Sequence, residues 1–448
     1  MKRTGDPACR RPARFPAVTY DQMSLLFGGA RIAQCCIVRL EGRLDFERLR
    51  RAMRLSLEAE PFLSCRFVEG RFGPHWEVRD DVDRLDLCAM EHPATEEERE
   101  RRVLAFAAAD TSATTDPLVR AVVLRREDDT LCLTLHHAAG DGTALKAYTG
   151  LVASIYRRLA GDPAYIPTAN PSRRRDIRPF LAGYGLAGRF ALLARSLRAL
   201  RRLRGFALWN LPASAGGPAS RRLALRRLPR ERMERVAAYC RERGAMTNEL
   251  LLAAMFLAFR RHAPGPPARH RLVAMPIDLR PRLRNGQPRV PATLASLMLL
   301  PLPDPPDETL DTAVSLVRDI LFETALATDA GLACMPVFLE LPPVRQLRAL
   351  IPPPVVRAIG RREHARMTGV NRLAVYLSNL GEIDAASVRF DGTRTLDAFL
   401  TASGAMAYGF MASSFDGTLT LSYVFDEAVV DLGLASRVLD TMVALLPE

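Results

Sequence analysis

The sequence predicts an α/β protein in two halves of similar construction, joined by a basic connection. Its 448 residues are too many for one ordinary core and fit two domains of about 200 residues each. Segments typical of strands alternate with segments typical of helices in both halves. Residues 164–220 interrupt this alternation with prolines and many arginines. We therefore expect an N-terminal lobe over 1–170, a connection over 171–220 and a C-terminal lobe over 221–448.

The first half supplies well-bounded elements. Asp45 is placed to cap a helix in which Leu49, Met53 and Leu57 recur every four residues. The other elements predicted here are strands at 62–68, 118–124 and 131–136, a charged helix at 96–109, and a helix that follows residue 142 and stops at 161–163.

The connection and the second half are predicted in the same way. One basic amphipathic helix is expected within 173–204, either as a surface helix or as a face for a membrane or a carrier protein. Thr247 and Asn248 are placed to cap a helix. The remaining predicted elements are strands at 222–228, 271–277, 294–302, 373–379 and 418–425, a helix around 233–240, a proline-broken helical stretch over 303–370, and a final helix at 431–445.

Composition and charge exclude several classes of protein. Hydrophobic residues make up 48% and charged residues 25% of the chain, as in soluble globular proteins. No apolar stretch reaches the roughly 18 residues of a membrane helix, and residues 1–10 lack the apolar core of a secretion signal, so we expect a cytoplasmic protein with at most peripheral membrane contact. The net charge of +13 is almost all arginine and comes without a nucleic-acid module, so no nucleic-acid partner is predicted. The eight cysteines have no CxxC spacing and predict no zinc site or disulfide framework.

The most informative pattern is HHAAGDG over residues 136–142, between an apolar strand and a helix. Successive strand residues point to opposite faces, so the two histidines cannot do the same job. A histidine accepts and returns a proton near neutral pH, which makes one of them a candidate general base. Gly140 and Gly142 are expected to permit the turn. A metal site is a weaker interpretation because no further ligand stands at a recognisable spacing.

This HHxxxDG pattern resembles the active-site motif of the chloramphenicol acetyltransferase-like superfamily. That superfamily includes condensation domains of peptide synthetases, polyketide-associated and alcohol acyltransferases, and wax-ester synthases. The resemblance implies two acetyltransferase-like lobes in a V around a central channel. It implies that His137 is the catalytic base, that His136 and Gly142 support the motif, and that Asp141 pairs with an arginine. It also implies an acyl thioester donor on coenzyme A or on phosphopantetheine, with no bound cofactor.

Three later segments match the same groups. Residues 246–254 are similar to the TxNDxLLAA helix start, 276–280 to a strand-end vDLR, and 378–381 to an SNxG strand end. Ser378 and Asn379 are therefore candidates for contacts with the oxyanion or the substrate, although a structural turn fits them equally.

The chain also departs from the condensation-domain pattern. Condensation domains carry RHExLRTxF, whose second arginine supports the motif aspartate; residues 59–67 match this segment and place Ser64 at that arginine. Arg66 lies two residues on, on the same strand face, and is the expected partner of Asp141. Arg280 is the alternative. The DFGWG signature of plant acyltransferases is absent.

These departures favour a free-standing bacterial-type acyltransferase of secondary metabolism, acting as a monomer. It would move an acyl group from acyl-CoA or an acyl carrier protein to a small alcohol or amine. Two alternatives stay open. One is a free-standing condensation enzyme of non-ribosomal peptide or lipopeptide biosynthesis, which would act with acyl or peptidyl carrier proteins. The other is a catalytically idle protein that binds a carrier protein, or a protein whose binding to its partner is driven by charge.

Overall fold

The computed structural model describes both halves of the chain and part of the connection. The described residues are 14–22, 33–70, 73–172, 175, 178–181, 183–202, 209, 221–262, 271–283, 291–304, 307–329, 339–351, 355, 358–359, 362, 375–402, 409–427 and 431–448.

The strands lie close to the predicted positions where a prediction was made. They are β1 Arg14–Pro16, β2 Ala33–Glu41, β3 Cys65–Gly70, β4 Gly73–Val78, β5 Cys88–Glu91, β6 Val119–Arg125, β7 Asp129–His136, β8 Arg221–Leu228, β9 Arg271–Asp278, β10 Ala295–Leu302, β11 Val375–Glu382, β12 Arg394–Ala402, β13 Gly409–Phe415 and β14 Thr418–Asp426. Residues 62–64, expected to begin a strand, belong instead to the 3-10 turn Pro61–Ser64, because Pro61 opens a new helical turn there.

The helices also follow the sequence pattern. They are α1 Phe46–Ala59, α2 Glu96–Ala108, α3 Gly142–Gly161, α4 Arg178–Leu181, α5 Leu186–Arg202, α6 Arg230–Glu242, α7 Thr247–His262, α8 Leu310–Ala327, α9 Pro342–Ala349 and α10 Leu432–Leu445. Asp45 caps α1 as predicted, accepting from Arg48 N. Helix α7 differs: Thr247 is its first residue, and the Glu249 carboxylate accepts from Met246 N. Within the described residues, no helix combines the length and apolarity needed to cross a bilayer.

The first lobe is built on a five-stranded sheet in the order β12-β2-β7-β6-β5. Strand β7 is buried along its whole length because helices cover both faces of the sheet. Leu131, Leu133 and Leu135 share a core with α1 and α3, whereas Cys132 faces Val103 of α2. The strand therefore ends in a fixed position, and the motif begins at its last residue.

The second lobe is built on a six-stranded sheet in the order β10-β9-β11-β13-β14-β8. Helix α7 is buried on all sides between residues 250 and 259 and packs between this sheet, α8 and α10. Strands β9 and β11 are parallel neighbours, and β10 runs antiparallel to β9. The carboxyl ends of β9 and β11 and the start of β10 consequently share one edge of the sheet.

Strand β12 belongs to the second half of the chain but pairs with β2 of the first lobe. The antiparallel register runs from Arg394 opposite Glu41 to Ala402 opposite Gln34. Side chains of the second sheet hold β12 as well: Ser413 Oγ accepts from Leu400 N at 3.0 Å, and Ser422 Oγ donates to Leu400 O at 3.1 Å. The predicted division into 1–170, 171–220 and 221–448 remains a prediction, and β12 crosses it.

A smaller sheet and a third core cluster lie beside the two lobes. The sheet has the order β1-β4-β3. The cluster combines Phe180 and Leu181 of α4 and Leu192 of α5 with Leu279 and Leu294 of the second lobe. The basic helix predicted in the connection is therefore α5, and its inner side packs on the second lobe.

Candidate functional site: the motif loop between the two lobes

The motif forms a tight turn between β7 and α3. His136 is the last residue of β7, and its carbonyl oxygen accepts from the backbone of Ala139 at 2.8 Å and of Gly140 at 3.3 Å. The His136 ring is buried, and its Nδ1 accepts from Ala138 N at 3.1 Å. Because the ring closes the turn that follows it, His136 makes the kind of contact expected of a supporting residue.

His137 stands in the turn itself and is only half-buried. Its Nδ1 is buried without a hydrogen-bond partner among the described residues, which leaves Nε2 as the nitrogen that can meet a solute. Burial lowers the pKa of His137, while its own backbone carbonyl and the Asp141 carboxylate act in the opposite direction. The ring is consequently neutral at neutral pH and able to accept a proton.

Asp141 connects the motif helix to the second lobe. One carboxylate oxygen, Oδ1, caps α3 by accepting from Ala144 N at 3.0 Å. The other, Oδ2, accepts from Arg280 Nη1 at 2.9 Å and from Leu294 N at 2.8 Å. Thr293 Oγ1 also donates to the carbonyl of His137 at 2.9 Å. The segment before β10 thus holds both ends of the motif turn.

Arg280 is the guanidinium partner of Asp141, and it is itself held from two further directions. Its Nη1 donates to Asp278 Oδ1 at 3.0 Å and its Nη2 to Ala292 O at 2.8 Å. Burial disfavours the charged form, but Asp141 and Asp278 outweigh it and raise the pKa of Arg280. Asp278 reaches the motif helix directly as well, because Thr143 Oγ1 donates to its Oδ2 at 3.1 Å.

The expectation that Arg66 would reach Asp141 is wrong. Arg66 lies on β3 directly opposite Glu77 of β4, and their side chains are 3.7 Å apart on a partly exposed surface. Strand β3 belongs to the small sheet rather than to the sheet that carries the motif. Arg66 shares a strand face with position 64, where condensation domains carry the supporting arginine. This placement does not bring Arg66 next to Asp141.

Gly142 leaves room for a side chain of the second lobe. Gly140 and Gly142 are not among the described glycines with a positive φ, so the turn does not use the left-handed backbone conformation that favours glycine. A Cβ on Gly142 would meet the end of the Leu380 side chain, which would have to move aside. Lys146, one turn along α3, donates to Leu380 O at 2.6 Å and to Glu382 O at 3.3 Å. The end of β11 is therefore packed against the start of α3.

Ser378 and Asn379 lie on this same strand, next to Leu380. The Asn379 amide donates to Asn248 Oδ1 at 2.6 Å, and its Oδ1 accepts from Gly381 N at 2.9 Å. These contacts shape the turn at the strand end. Ser378 is buried. Contact of either residue with an oxyanion or a substrate remains a prediction.

Arg175 is a site residue that the sequence analysis missed. Its Nη2 donates to the carbonyls of Ala138 at 2.9 Å and Ala139 at 3.1 Å, inside the motif. Its Nε donates to Pro291 O at 3.0 Å, and its Nη1 pairs with Asp21 Oδ2 at 2.8 Å. One buried guanidinium therefore joins the motif loop, the second lobe and the N-terminal segment.

Aromatic rings and further donors surround the Arg175–Asp21 pair. The guanidinium carbon lies 3.5 Å from the ring centroid of Phe62 and 5.6 Å from that of Trp76. Trp76 Nε1 donates to Asp21 Oδ2 at 2.7 Å, and Val18 N donates to the same oxygen at 3.1 Å. Burial raises the pKa of Asp21 despite Arg175 and lowers that of Arg175 despite Asp21. The sequence signal, three arginines at 173–175, was attributed to a solvent-facing connection.

Substituting Asp141→Asn is expected to destabilise the fold and reduce activity. An asparagine oxygen can still cap α3, but it loses the charge that Arg280 requires, which costs about 1.5–3 kcal/mol. Urea unfolding measures this change. Asp45→Asn is the matched control, since Asp45 caps α1 on an exposed surface. Equal stabilities of Asp141→Asn and wild type would contradict a structural role for the pair.

Part of the chain is similar to a known protein family. Residues 28–170, which include the motif, match the family model of the condensation domain. A stretch of 158 residues, 34% of this chain, is 25% identical to the nonribosomal peptide synthetase opaA of Aspergillus ustus and spans 4% of that synthetase.

No group of three or more side chains placed to hold a metal ion occurs among the described residues.

Solved structures extend the similarity to the whole fold. The first condensation domain of the CDA synthetase is 16% identical, with a TM-score of 0.69, and the match covers 98% of this chain and 96% of that one. Polyketide synthase associated protein 5 of Mycobacterium tuberculosis is 18% identical, with a TM-score of 0.63 and coverage of 97% and 98%.

The resemblance to the chloramphenicol acetyltransferase-like superfamily, with its condensation domains, is therefore confirmed. The predicted fold class, two such lobes in a V, is confirmed as well.

Proposed function

We propose that this protein joins an acyl group, carried as a thioester on a phosphopantetheine arm, to the amine or hydroxyl of a second substrate. This reaction is the condensation alternative of the sequence analysis. In it, the phosphopantetheine arm that carries the acyl group belongs to a carrier protein. The family match over the motif-bearing lobe supports it better than it supports an acyl-CoA enzyme. The observation that carries the proposal is the neutral, half-buried His137 on a loop held from both lobes.

The chemistry follows from what His137 can do. The acceptor nitrogen or oxygen attacks the thioester carbonyl and passes its proton to Nε2 of His137. A tetrahedral oxyanion forms and collapses, so that the new C–N or C–O bond replaces the C–S bond. The imidazolium then returns the proton to the departing thiolate sulfur. Because the thioester is already reactive, holding the two substrates together supplies much of the acceleration.

A second candidate is transfer from acyl-CoA to a small alcohol or amine. Its support is Ser64, which stands where condensation domains carry an arginine, together with the full-length similarity of fold to polyketide synthase associated protein 5. Neither feature names a donor, so the choice is made by experiment.

Product mass analysis with a matched donor panel tests both candidates. The same acyl group is offered on a carrier protein, on free phosphopantetheine and on coenzyme A, with mixed amine and alcohol acceptors. Our proposal expects the carrier-bound donor to give the highest kcat/KM. Preference for coenzyme A would favour the second candidate. Absence of product from every thioester would contradict both and leave a binding protein.

The pH dependence of the reaction follows from the direction of the His137 shift. Only the neutral ring accepts a proton, so kcat/KM should fall as the pH drops through the pKa of His137. Because that pKa is lowered from the ordinary value of 6.5, the acid limb should be centred below pH 6.5. An α-amine acceptor has a pKa of about 7.7–8.0, so its own protonation also changes the rate in this range. Rates are therefore divided by the concentration of unprotonated acceptor. A limb centred at or above pH 6.5 would contradict the assignment.

A further inference from the structure

Two neighbouring elements outside the site expose large apolar side chains. On helix α5, Leu186 is 77% and Phe190 65% exposed, and on and just after α9, Leu347 is 64% and Leu350 80% exposed. Leu197 of α5 is exposed as well. We call these five residues the α5–α9 surface. Isolated exposed apolar residues are ordinary, but several on two elements that share a core cluster favour a contact with something apolar.

The two helices that carry these side chains pack on the same core cluster. Leu186, Phe190 and Leu197 recur at spacings that place them on one face of α5. A different face of α5 is buried through Leu192, which shares a core cluster with Leu341, directly before α9. Val344 of α9 packs on this cluster too. Both helices therefore bury one side in the same core and turn these apolar residues outward.

Helix α5 carries arginines beside its exposed apolar side chains. Residues 183–202 contain five arginines and no Asp or Glu. Arg189 is used within the fold, donating to Tyr184 O at 3.0 Å, and Arg195 lies 3.9 Å from Asp329. Arg198 and Arg201 are exposed on α5. An occupant of this surface must accept apolar side chains and carry negative charge.

We propose that the α5–α9 surface docks on an anionic lipid bilayer. Leucine and phenylalanine side chains enter the interface, and the arginines meet lipid phosphates, as in interfacial amphipathic helices. The net charge of +13 favours the same approach. A lipid surface suits this arrangement better than an acidic protein, because mobile headgroups pair with arginines wherever they lie. An acidic protein would need carboxylates at matching positions around every protruding side chain.

The core beneath the α5–α9 surface also reaches residues beside the motif loop. The core cluster beneath α5 and α9 also contains Leu279 and Leu294. Leu279 directly precedes Arg280, and both Arg280 and the backbone amide of Leu294 donate hydrogen bonds to Asp141. The surface and the motif loop are thus attached to the same packed unit. The docking proposal itself does not depend on the proposed reaction.

Vesicle co-sedimentation with the full-length protein tests the proposal. Vesicles of phosphatidylcholine alone are compared with vesicles containing equal parts phosphatidylcholine and phosphatidylglycerol. Wild type should bind only the anionic vesicles, and less at high salt. Phe190→Ser with Leu347→Ser, and separately Arg198→Glu with Arg201→Glu, should each weaken binding by at least about tenfold. Met246→Ser with Leu396→Ser, also exposed apolar positions, is the matched control and should bind like wild type.

Several results would overturn the proposal. They are failure to bind anionic vesicles at low salt, equal binding to both vesicle types, and equal loss of binding in the control variant. Two others would identify a different occupant: a dimer in solution that the surface variants abolish, or capture of an acidic carrier protein, without vesicle binding, that those variants abolish. Circular dichroism of each variant checks that the fold is retained.

Discussion

Replacing His137 by alanine should reduce acyl transfer by about 10²–10⁴-fold while leaving the fold intact. The ring makes no hydrogen bond through Nδ1 within the described residues, so its removal breaks no hydrogen bond at that nitrogen. The loop position is kept by the backbone, since Thr293 bonds the His137 carbonyl rather than the ring. The loss should therefore appear in kcat, measured with the preferred thioester donor, and the urea midpoint should remain close to that of wild type.

The matched control is His92→Ala, because His92 is an exposed histidine on the first lobe. It should retain wild-type turnover. Equal turnover of wild type and His137→Ala would remove His137 from the mechanism. A large loss of stability in His137→Ala would mean that the ring supports the loop instead of acting on the substrate.

Replacing Arg175 by methionine should destabilise the protein by about 3–5 kcal/mol, because it strands the buried Asp21 carboxylate without its counter-charge. Activity should fall in addition, since the carbonyls of Ala138 and Ala139 lose their donor and the turn before His137 loosens. Chemical unfolding gives the stability change, and kcat/KM at a temperature well below the transition gives the functional one.

A double variant separates charge from packing. In Arg175→Met with Asp21→Asn the buried charge is gone, and the asparagine oxygen can still accept from Trp76 and Val18. This protein should be more stable than Arg175→Met alone but no more active, because the motif carbonyls remain without a donor. Arg235→Met, at an exposed arginine, controls for the loss of a positive charge. If Arg175→Met behaves like Arg235→Met, the pair does not hold the motif.

Much of the fold could be predicted because most elements carry their own signals. Asp45 with its apolar spacing, and the stop at Gly161, bound helices that the structure reproduces. Six strands were not predicted: β1, β2, β4, β5, β12 and β13. Strand β2 is buried over most of its length, so it lacks the polar alternation that identifies a half-exposed strand.

The site could be predicted only as far as the motif itself. The partner of Asp141 was left between Arg66 and Arg280, and the answer depends on which sheet each strand joins, which spacing along one strand does not encode. Arg175 was missed for a related reason. An arginine in a basic stretch looks solvent-exposed until the fold supplies Asp21, Phe62 and Trp76 around it.

Strand β12 also determines when the molecule can finish folding. Its partner β2 lies at the opposite end of the chain, and the Arg394–Glu41 contact spans 353 positions. During synthesis, one edge of β2 stays unpaired until residues 394–402 have left the ribosome. An unpaired strand edge is prone to pair with other chains. Closing so large a loop is slow. Expressing residues 1–170 by themselves should therefore yield an aggregation-prone fragment, and adding the second half in trans should rescue it.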